Sequence, residues 1–338
     1  MVLRSAITAV VALSMAGALS AGQPFHVMVA NDDGIDAPGL AALAEVLAAD
    51  PAYRVTIVAP AEQQSVTGHA HVTRREVPVR EHAPIAGSTA WSVGGTPATV
   101  VRLGLTALLV DDAPDLVVSG INRGENDGLG AWTSGTVAAA REAVLVGVPA
   151  LAFSLQLDWD DPKPDFAAAA HWAKPVVDAV RAGGLPTGVY LNVNIPRNTD
   201  SVRGYRLARM GVARPAVARF EPVRDEVGAR WYRSRWRPPE ETEPGTDNRA
   251  LESGWVAIAP LGLDQTDYRA LSIVEELELA APKASTPTAA SDTRDAARAS
   301  PKERPQSDTD ADADTDAGGG SSDQRQATSI GRGDGGNH

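Results

Sequence analysis

Short apolar segments that alternate with helical patterns constrain the fold of this chain most. The first segment, His26–Ala30, ends at Asn31-Asp32-Asp33-Gly34, and Pro38 then opens a stretch whose leucines share one helical face. Buried apolar strands that alternate with helices favour a mostly parallel, doubly wound α/β sheet, Rossmann-like in its layout. Further strands are predicted at 54–60, 115–119, 148–154 and 189–195, and helices at about 135–147 and 165–182, the second with a kink at Pro175.

The pattern changes after Pro196. Segments around 203–209, 229–237 and 254–260 have the character of short strands without helices between them, which predicts a C-terminal β-rich extension or arm over about 200–260. Residues 281–338 are rich in small and polar residues and lack a hydrophobic period, so we expect a disordered acidic tail after a domain at 22–280. The run 308–316 lacks the glycine and glutamate of a calcium loop, which favours a solvated segment over a calcium site.

The first 21 residues have the pattern of an export signal. Arg4 precedes an apolar run from Ala6 to Leu19, and small residues follow at 20–22. We therefore expect a protein that is exported, to the periplasm or the medium, and whose mature chain begins near residue 22. The alternatives are a buried first helix or strand, and a cytoplasmic protein that begins at a later start codon. Because the run is shorter than the ~20 residues of a membrane helix, no membrane span is expected.

Net charge and cysteine content exclude several classes of function. The formal net charge of −12 offers no broad basic surface for a phosphate backbone, so nucleic acid is not expected as a stable partner. A small phosphorylated ligand is still compatible with this charge, because one bound cation reverses the local sign. The chain has no cysteine, which excludes disulfides, thiolate metal sites and cysteine nucleophiles.

Oxygen ligands follow three of the predicted strands. Asp32 and Asp33 come after the first, and two adjacent carboxylates repel each other unless a cation lies between them. Ser65 and Asn122 lie in the loops after the second strand and after 115–119, and ligands of open parallel sheets bind at these carboxyl ends. Such an all-oxygen set suits Mg²⁺ or Mn²⁺. The alternative is that Asn, Asp and Gly serve only turn chemistry here.

Two further motifs allow alternative interpretations. Ser134-Gly135-Thr136 lies at a predicted helix start, where free N–H groups bind phosphate, although simple N-capping uses the same residues. Zinc is not expected, because no histidine or cysteine cluster has ligand spacing, and His69 and His71 are assigned structural or surface roles. A P-loop, a dinucleotide fingerprint and a nucleophile elbow are absent from the sequence.

Six motifs in a fixed order resemble the SurE family, the stationary-phase survival nucleotidases. The resemblance covers roughly residues 25–270. Each motif is weak alone, and the ordered set is specific. The motifs are Val29–Gly34, Ala59-Pro60 with Gln64-Ser65, Gly95–Ala98, Ser119–Asn126, Ser134–Val137 and Leu191–Pro196.

The resemblance implies a fold, an activity and a set of site residues. The fold is a Rossmann-like core, and family members are usually homodimers or homotetramers that exchange a C-terminal β arm. The activity is metal-dependent hydrolysis of nucleoside monophosphates, with short polyphosphate as a further substrate. The metal ligands correspond to Asp32, Asp33, Ser65 and Asn122, and the catalytic residues to Asp32 and Asp33. Asn126, Ser134, Gly135 and Thr136 are expected to bind phosphate.

Several positions depart from the family pattern. Val66 stands where glycine is common, Thr99 and Val100 where Asp-Cys is common, and Thr133 where an aromatic residue adjoins the serine. The export signal and acidic tail are also additions, since typical members are cytoplasmic. No proposed ligand is lost. The rival function is that of an exported binding protein that holds phosphorylated ligands without turning them over.

Overall fold

The computed structural model describes residues 23–158, 163–212, 220–235 and 243–277. The predicted export signal at 1–21 and acidic tail at 281–338 lie outside the described residues. Contacts group the chain up to Ile273 into one unit. Of a second unit, which begins at Val274, only residues 274–277 are described. No helix in the described ranges is long and apolar enough to cross a membrane.

Eleven strands are present in the described ranges. Nine of them form one sheet in the order β3-β4-β2-β1-β5-β6-β7-β11-β8, and β9 and β10 form a separate antiparallel pair. Their bounds are β1 Phe25–Ala30, β2 Tyr53–Pro60, β3 Val79–Ile85, β4 Ser88–Val93, β5 Leu116–Arg123, β6 Ala150–Leu155, β7 Val189–Ile195, β8 Tyr205–Leu207, β9 Phe220–Glu226, β10 Ala229–Ser234 and β11 Val256–Gly262.

Parallel pairing dominates the centre of the sheet. In β1, Val29 pairs with Ile57 of β2 on one side and with Val118 of β5 on the other, and both pairings are parallel. Parallel pairing continues from β2 to β4 and from β5 through β6 to β7, whereas β3 and β11 are antiparallel to β4 and β7. The carboxyl ends of β1, β2 and β5 therefore lie side by side at one edge.

Helices cover both faces of this sheet. Alternate residues of β1 supply the two cores: Val27 and Val29 pack with α1 and α4, whereas Met28 and Ala30 pack with α2 and α3. This two-sided burial explains why the four consecutive residues from Val27 to Ala30 are all apolar. The predicted mostly parallel, doubly wound α/β fold is confirmed. The helices are α1 Pro38–Ala48, α2 Pro97–Leu103, α3 Gly135–Val146, α4 Phe166–Gly183, α5 Asp247–Glu252 and α6 Leu271–Glu275.

The structure differs from the sequence-based expectation in three places. β5 continues through Gly120–Arg123, which the sequence assigned to a loop, with a break in the ladder between Ser119 and Asn122. The β3–β4 hairpin was not expected. Among the described residues after 200, β9 and β10 form their own antiparallel pair, whereas β8 and β11 join the main sheet. The helix α5 lies between β10 and β11 in the chain, so the expected succession of strands without helices is wrong.

Gly39 allows α1 to lie directly against β5. A Cβ atom at this position would fall 2.0 Å from the carbonyl oxygen of Ile121 and 3.0 Å from its carbonyl carbon. Both atoms belong to the backbone, so they cannot move aside as a flexible side chain can. The close approach fixes the helix that follows the Asp32-Asp33 turn against the strand that carries Asn122.

We predict that Gly39→Ala destabilises the protein by about 1–3 kcal/mol, because overpacking outweighs the helix propensity gained. Gly183→Ala is the matched control, since a Cβ there meets nothing within 4 Å. It should be neutral or stabilising by up to about 1 kcal/mol. Denaturant unfolding of both variants gives the comparison. Equal stabilities for the two variants would contradict the close-packing argument.

Candidate functional site

The turn after β1 presents Asp32 and Asp33 at the carboxyl edge of the sheet. Gly34 has a φ of +102°, which favours glycine, and the Asn31 side-chain amide donates to the Gly34 carbonyl oxygen at 2.7 Å. Asp32 is 3% exposed, although it sits in a turn. Turn chemistry therefore accounts for Asn31 and Gly34, and it does not account for a buried carboxylate at Asp32.

The loops after the two neighbouring strands contact this turn. After β2, the Gln64 backbone N–H donates to the Asp32 carbonyl oxygen at 2.7 Å. At the end of β5, the Arg123 N–H donates to Asp33 Oδ2 at 3.1 Å. Ser65 follows Gln64 and is exposed, and Asn122 is buried and donates its side-chain amide to the Gly124 carbonyl oxygen at 2.8 Å. The structure thus brings the three loops that carry the predicted ligands to one edge.

The first turn of α3 packs against Asp32. The Thr136 hydroxyl donates to Asp32 Oδ1 at 2.5 Å. A Cβ at Gly135 would lie 2.7 Å from the Asp32 Cβ and 2.9 Å from the Pro97 ring, so only glycine fits there. Ser134 caps the helix, because its Oγ accepts from the Val137 N–H at 3.1 Å. Of the four residues predicted to bind phosphate, Ser134, Gly135 and Thr136 therefore lie at the start of the helix that packs against Asp32.

Asn126 is held by buried polar residues of β6 and β7. Its N–H donates to Asn194 Oδ1 at 2.8 Å, its side-chain amide donates to Ser154 Oγ at 2.8 Å, and its carbonyl oxygen accepts from the Asn192 amide at 2.7 Å. Sequence reasoning assigned no role to Ser154, Asn192 or Asn194. The two asparagines at alternate positions of β7, a strand that is otherwise mostly apolar, are the sequence pattern that could have indicated such a role.

Burial perturbs both aspartates of the turn. Burial raises the pKa of Asp32 to about 6, and repulsion from Asp33 adds to the rise, while the Thr136 hydrogen bond opposes it. Burial also raises the pKa of Asp33, against the hydrogen bonds that it accepts from Arg123 and Gln63. Both shifts indicate a place where negative charge is costly without a cation.

A second acidic pair lies next to Asn126. Asp247 is fully buried and accepts hydrogen bonds from the backbone N–H groups of Gly128 at 3.0 Å and Gly211 at 2.8 Å. Burial raises the pKa of Asp127 to about 7, and the charges of Asp247 and Glu125 add to that rise. Sequence reasoning missed this pair, because Asp247 is separated from Asn126 by more than a hundred positions.

A cavity of about 350 Å³ opens beside Asp33. Gln63 and Arg123 supply polar groups to its wall, and Ile35 and Phe166 supply apolar surface. A space that combines a carboxylate, a guanidinium and apolar side chains suits a small organic ligand.

The fold brings together two histidines and a glutamate that the sequence pattern did not connect. No histidine cluster with ligand spacing is visible in the sequence, but His69, His71 and Glu142 converge so that one ligand atom from each lies within 4.8 Å of the others. His69 and His71 belong to the loop after β2, and Glu142 belongs to α3. Sequence spacing could not reveal the group, because its third member lies 71 residues beyond His71.

Comparison with known proteins tests the resemblance that the motifs indicated. The family model described as "Survival protein SurE" matches residues 27–216, which is more than half of the chain. The chain belongs to the SurE family. The matched range contains the Asp32-Asp33 turn, Ser65, Asn122 and the first turn of α3.

Individual SurE relatives match over their full length. A protein from Desulfatibacillum aliphaticivorans, named 5'-nucleotidase SurE, is 39% identical over 262 residues, covering 76% of this chain and 100% of its own. A Thermus thermophilus protein named 5'-nucleotidase SurE 1 is 41% identical and covers 75% of this chain and 97% of its own. The crystal structure of the SurE protein from Aquifex aeolicus matches with a TM-score of 0.64 and 33% identity, covering 75% of this chain and 99% of that one.

Val66 illustrates what one departure from the SurE pattern costs. Its φ of +62° lies in the left-handed region, where a β-branched residue is strained and glycine is not. The side chain is 65% exposed, so it gains little from burial in return. The backbone of this loop thus keeps a conformation suited to glycine even though valine occupies the position.

We predict that Asp32→Asn stabilises the metal-free protein above pH 6 and not near pH 4. Because the folded pKa of about 6 exceeds the unfolded value near 3.8, the folded state holds its proton longer, and stability falls as pH rises from about 4 to 6. The shift corresponds to about 3 kcal/mol, and the asparagine oxygen can still accept from Thr136.

The measurement is denaturant unfolding in chelator at pH 4 and at pH 8. Asp111→Asn, which removes an exposed carboxylate outside the site, is the control for the loss of one negative charge. A stability difference between Asp32→Asn and wild type that is the same at both pH values would contradict the assigned pKa of Asp32.

Proposed function

We propose that this protein is a divalent-metal-dependent phosphomonoesterase that hydrolyses nucleoside monophosphates to nucleoside and phosphate. The observation that carries the proposal is the buried Asp32-Asp33 pair, which meets the loops after β2 and β5 and the first turn of α3. The SurE relatives named 5'-nucleotidase support the nucleotide substrate. Short polyphosphate is proposed as a further substrate on the family resemblance alone.

The residues of the turn fit a hard divalent cation. Two carboxylates with raised pKa values, of which Asp32 is almost fully buried, would both ionise readily if a cation were held between them. The Asn122 side-chain oxygen and the Ser65 hydroxyl add neutral oxygen donors on the two flanking loops. An all-oxygen set of this kind suits Mg²⁺ or Mn²⁺, and we propose that the site binds one of these two ions.

Each of these residues has a defined task in the reaction. Asp32, Asp33, Ser65 and Asn122 would hold the ion, which when bound supplies positive charge to the phosphoryl oxygens and lowers the pKa of coordinated water. Thr136 orients Asp32 through its hydrogen bond. The N–H groups at the start of α3, with Ser134, would grip the phosphate, and Asn126 would support that grip from β6 and β7.

The proposed reaction is a hydrolysis. A water oxygen gives up a proton and forms a bond to phosphorus, the ester P–O bond breaks in line with it, and the leaving nucleoside oxygen takes up a proton. The catalytic work of the protein is therefore to position the phosphate and to stabilise its charge. The cavity next to Asp33, with Phe166 and Arg123 in its wall, is the proposed place for the nucleoside.

We predict that the purified protein releases phosphate from nucleoside monophosphates in Mn²⁺ or Mg²⁺ and that chelation stops this reversibly. Asp33→Asn should lower turnover on the order of a hundredfold, because one of the two carboxylates that would hold the ion loses its charge and the phosphate loses that electrostatic support. The measurement is phosphate release from a panel of nucleotides and short polyphosphate, with and without metal.

Asp111→Asn is again the control, and its turnover should match that of the wild type. Full activity in excess chelator would contradict the metal mechanism. Tight nucleotide binding without phosphate release would instead establish the rival function, that of a binding protein.

The oligomeric state of the protein and its cellular location are predictions. The exposed Phe220 of β9 and Trp231 and Tyr232 of β10 support a homodimer or homotetramer in which this hairpin reaches a second subunit. Export rests on Arg4 and the apolar run that follows it. The proposal is thus an exported, oligomeric nucleotidase.

We predict that the mature protein begins near residue 22. N-terminal sequencing of the protein from fractionated cells measures this directly. An intact Met1 in the cytoplasmic fraction would contradict export and leave the enzymatic proposal unchanged.

A further inference from the structure

The carboxylate of Glu142 contacts the side chains of His69, His71 and Arg102. The side chain of Glu142 is fully buried, and its Oε2 lies 2.7 Å from His69 Nε2 and 3.3 Å from His71 Nε2. The other carboxylate oxygen, Oε1, accepts from the Arg102 guanidinium. Neither the Asp32-Asp33 site nor the proposed mechanism uses any of these four residues.

The two histidines of this cluster are partly exposed to solvent. Their side chains are 22% and 28% exposed, whereas that of Glu142 is fully buried. Burial alone would raise the pKa of Glu142, but hydrogen bonds from His69 and Arg102 outweigh it and hold the pKa below its ordinary value. The cluster therefore offers two imidazoles and an ionised carboxylate whose second oxygen is oriented by an arginine.

We propose that His69, His71 and Glu142 form a second metal site, which takes a borderline transition-metal ion of the Zn²⁺ class through two imidazole nitrogens and one carboxylate oxygen. Two histidines and one glutamate are a ligand set that zinc proteins use, with water in the fourth position. Arg102 holds the free oxygen of the carboxylate, as the outer partners of metal ligands do. This site is separate from the oxygen-only site at Asp32.

The spacing of the ligand atoms fits such an ion. Ligands at the usual 2.0–2.1 Å from a tetrahedral ion are about 3.3 Å apart. His71 Nε2 and Glu142 Oε2 are already 3.3 Å apart, and all three ligand atoms lie within 4.8 Å of one another. His69 Nε2, at 2.7 Å from the same oxygen, must move away slightly as the ion enters.

The backbone around the two histidines is fixed independently of the cluster. The Gly68 N–H donates to the Thr133 carbonyl oxygen at 3.0 Å, and the Val72 N–H donates to Thr99 Oγ1 at 2.8 Å. These bonds flank His69 and His71 on both sides and tie their segment to α2 and to the residue before the Ser134 cap. A metal here would join the loop that carries Ser65 to α3.

The test is Co²⁺ binding to the full-length protein in an Asp32→Asn/Asp33→Asn background, which removes the proposed oxygen-only site. We expect the strong visible absorption of four-coordinate cobalt, at one ion per chain and displaced by Zn²⁺. His69→Gln/His71→Gln in the same background should abolish this band and weaken Zn²⁺ binding by roughly a hundredfold or more, since loss of an outer partner alone costs about 10–100-fold.

His171→Gln, at an exposed histidine of α4, is the matched control and should leave the band unchanged. Because glutamine can still hydrogen-bond to Glu142, circular dichroism should find the double variant folded; the single His71→Gln variant provides a milder change if it is not. Zn²⁺ should also raise the melting temperature in the Asp32→Asn/Asp33→Asn background and not when both histidines are replaced.

Three results would overturn the proposal. They are the absence of a four-coordinate band, a band that survives the loss of both histidines, and a Zn²⁺ affinity that the histidine changes do not alter. Every variant in this test lacks the oxygen-only site. A negative result at the histidine cluster would therefore leave the proposed nucleotidase function unchanged. Conversely, a protein without nucleotidase activity could still bind zinc here.

Discussion

The burial of the Asp32 carboxylate against the first turn of α3 is the contact on which the rest of the site depends. It requires a strand that ends at the centre of a parallel sheet, a helix that begins with glycine at position 135, and a hydroxyl at 136 that donates a hydrogen bond to the carboxylate. A larger residue at 135 would push the helix away from the turn. A buried carboxylate in such a place is stable only with a hydrogen bond or a cation.

The central strands and their carboxyl edge were predictable because their physics is local. β1 is apolar from Val27 to Ala30 since it is covered on both faces, and Asn31 and Gly34 have the chemistry of a tight turn. The parallel order then places Asp32, Ser65 and Asn122 at one edge. The motif order identified the family, which the comparisons confirmed, whereas composition and periodicity alone reached only the fold class and a possible all-oxygen site.

What could not be predicted depends on contacts between residues that are distant in sequence. Nothing local indicates that Glu142 meets His69 and His71, or that Asp247 caps the backbone at Gly128. The continuation of β5 through Ile121 was also missed, because glycine and asparagine there suggest a loop, whereas pairing with β6, which resumes at Asn122 and Ser154, keeps the segment in the strand. The same holds for β8 and β11: β11 pairs with β7, β8 pairs with β11, and these two pairings decide that both strands join the main sheet.

The central claim is that Asp32 and Asp33 hold a hard divalent cation. The most direct test is calorimetric titration of Mg²⁺, an ion that prefers oxygen ligands, in buffers of different ionisation enthalpy at pH 6 and pH 8. Since the metal-free pKa of Asp32 is about 6, binding should release about half a proton or more at pH 6 and almost none at pH 8. Mg²⁺ binding that releases no proton at either pH, or that persists unchanged in Asp32→Asn, would contradict the account.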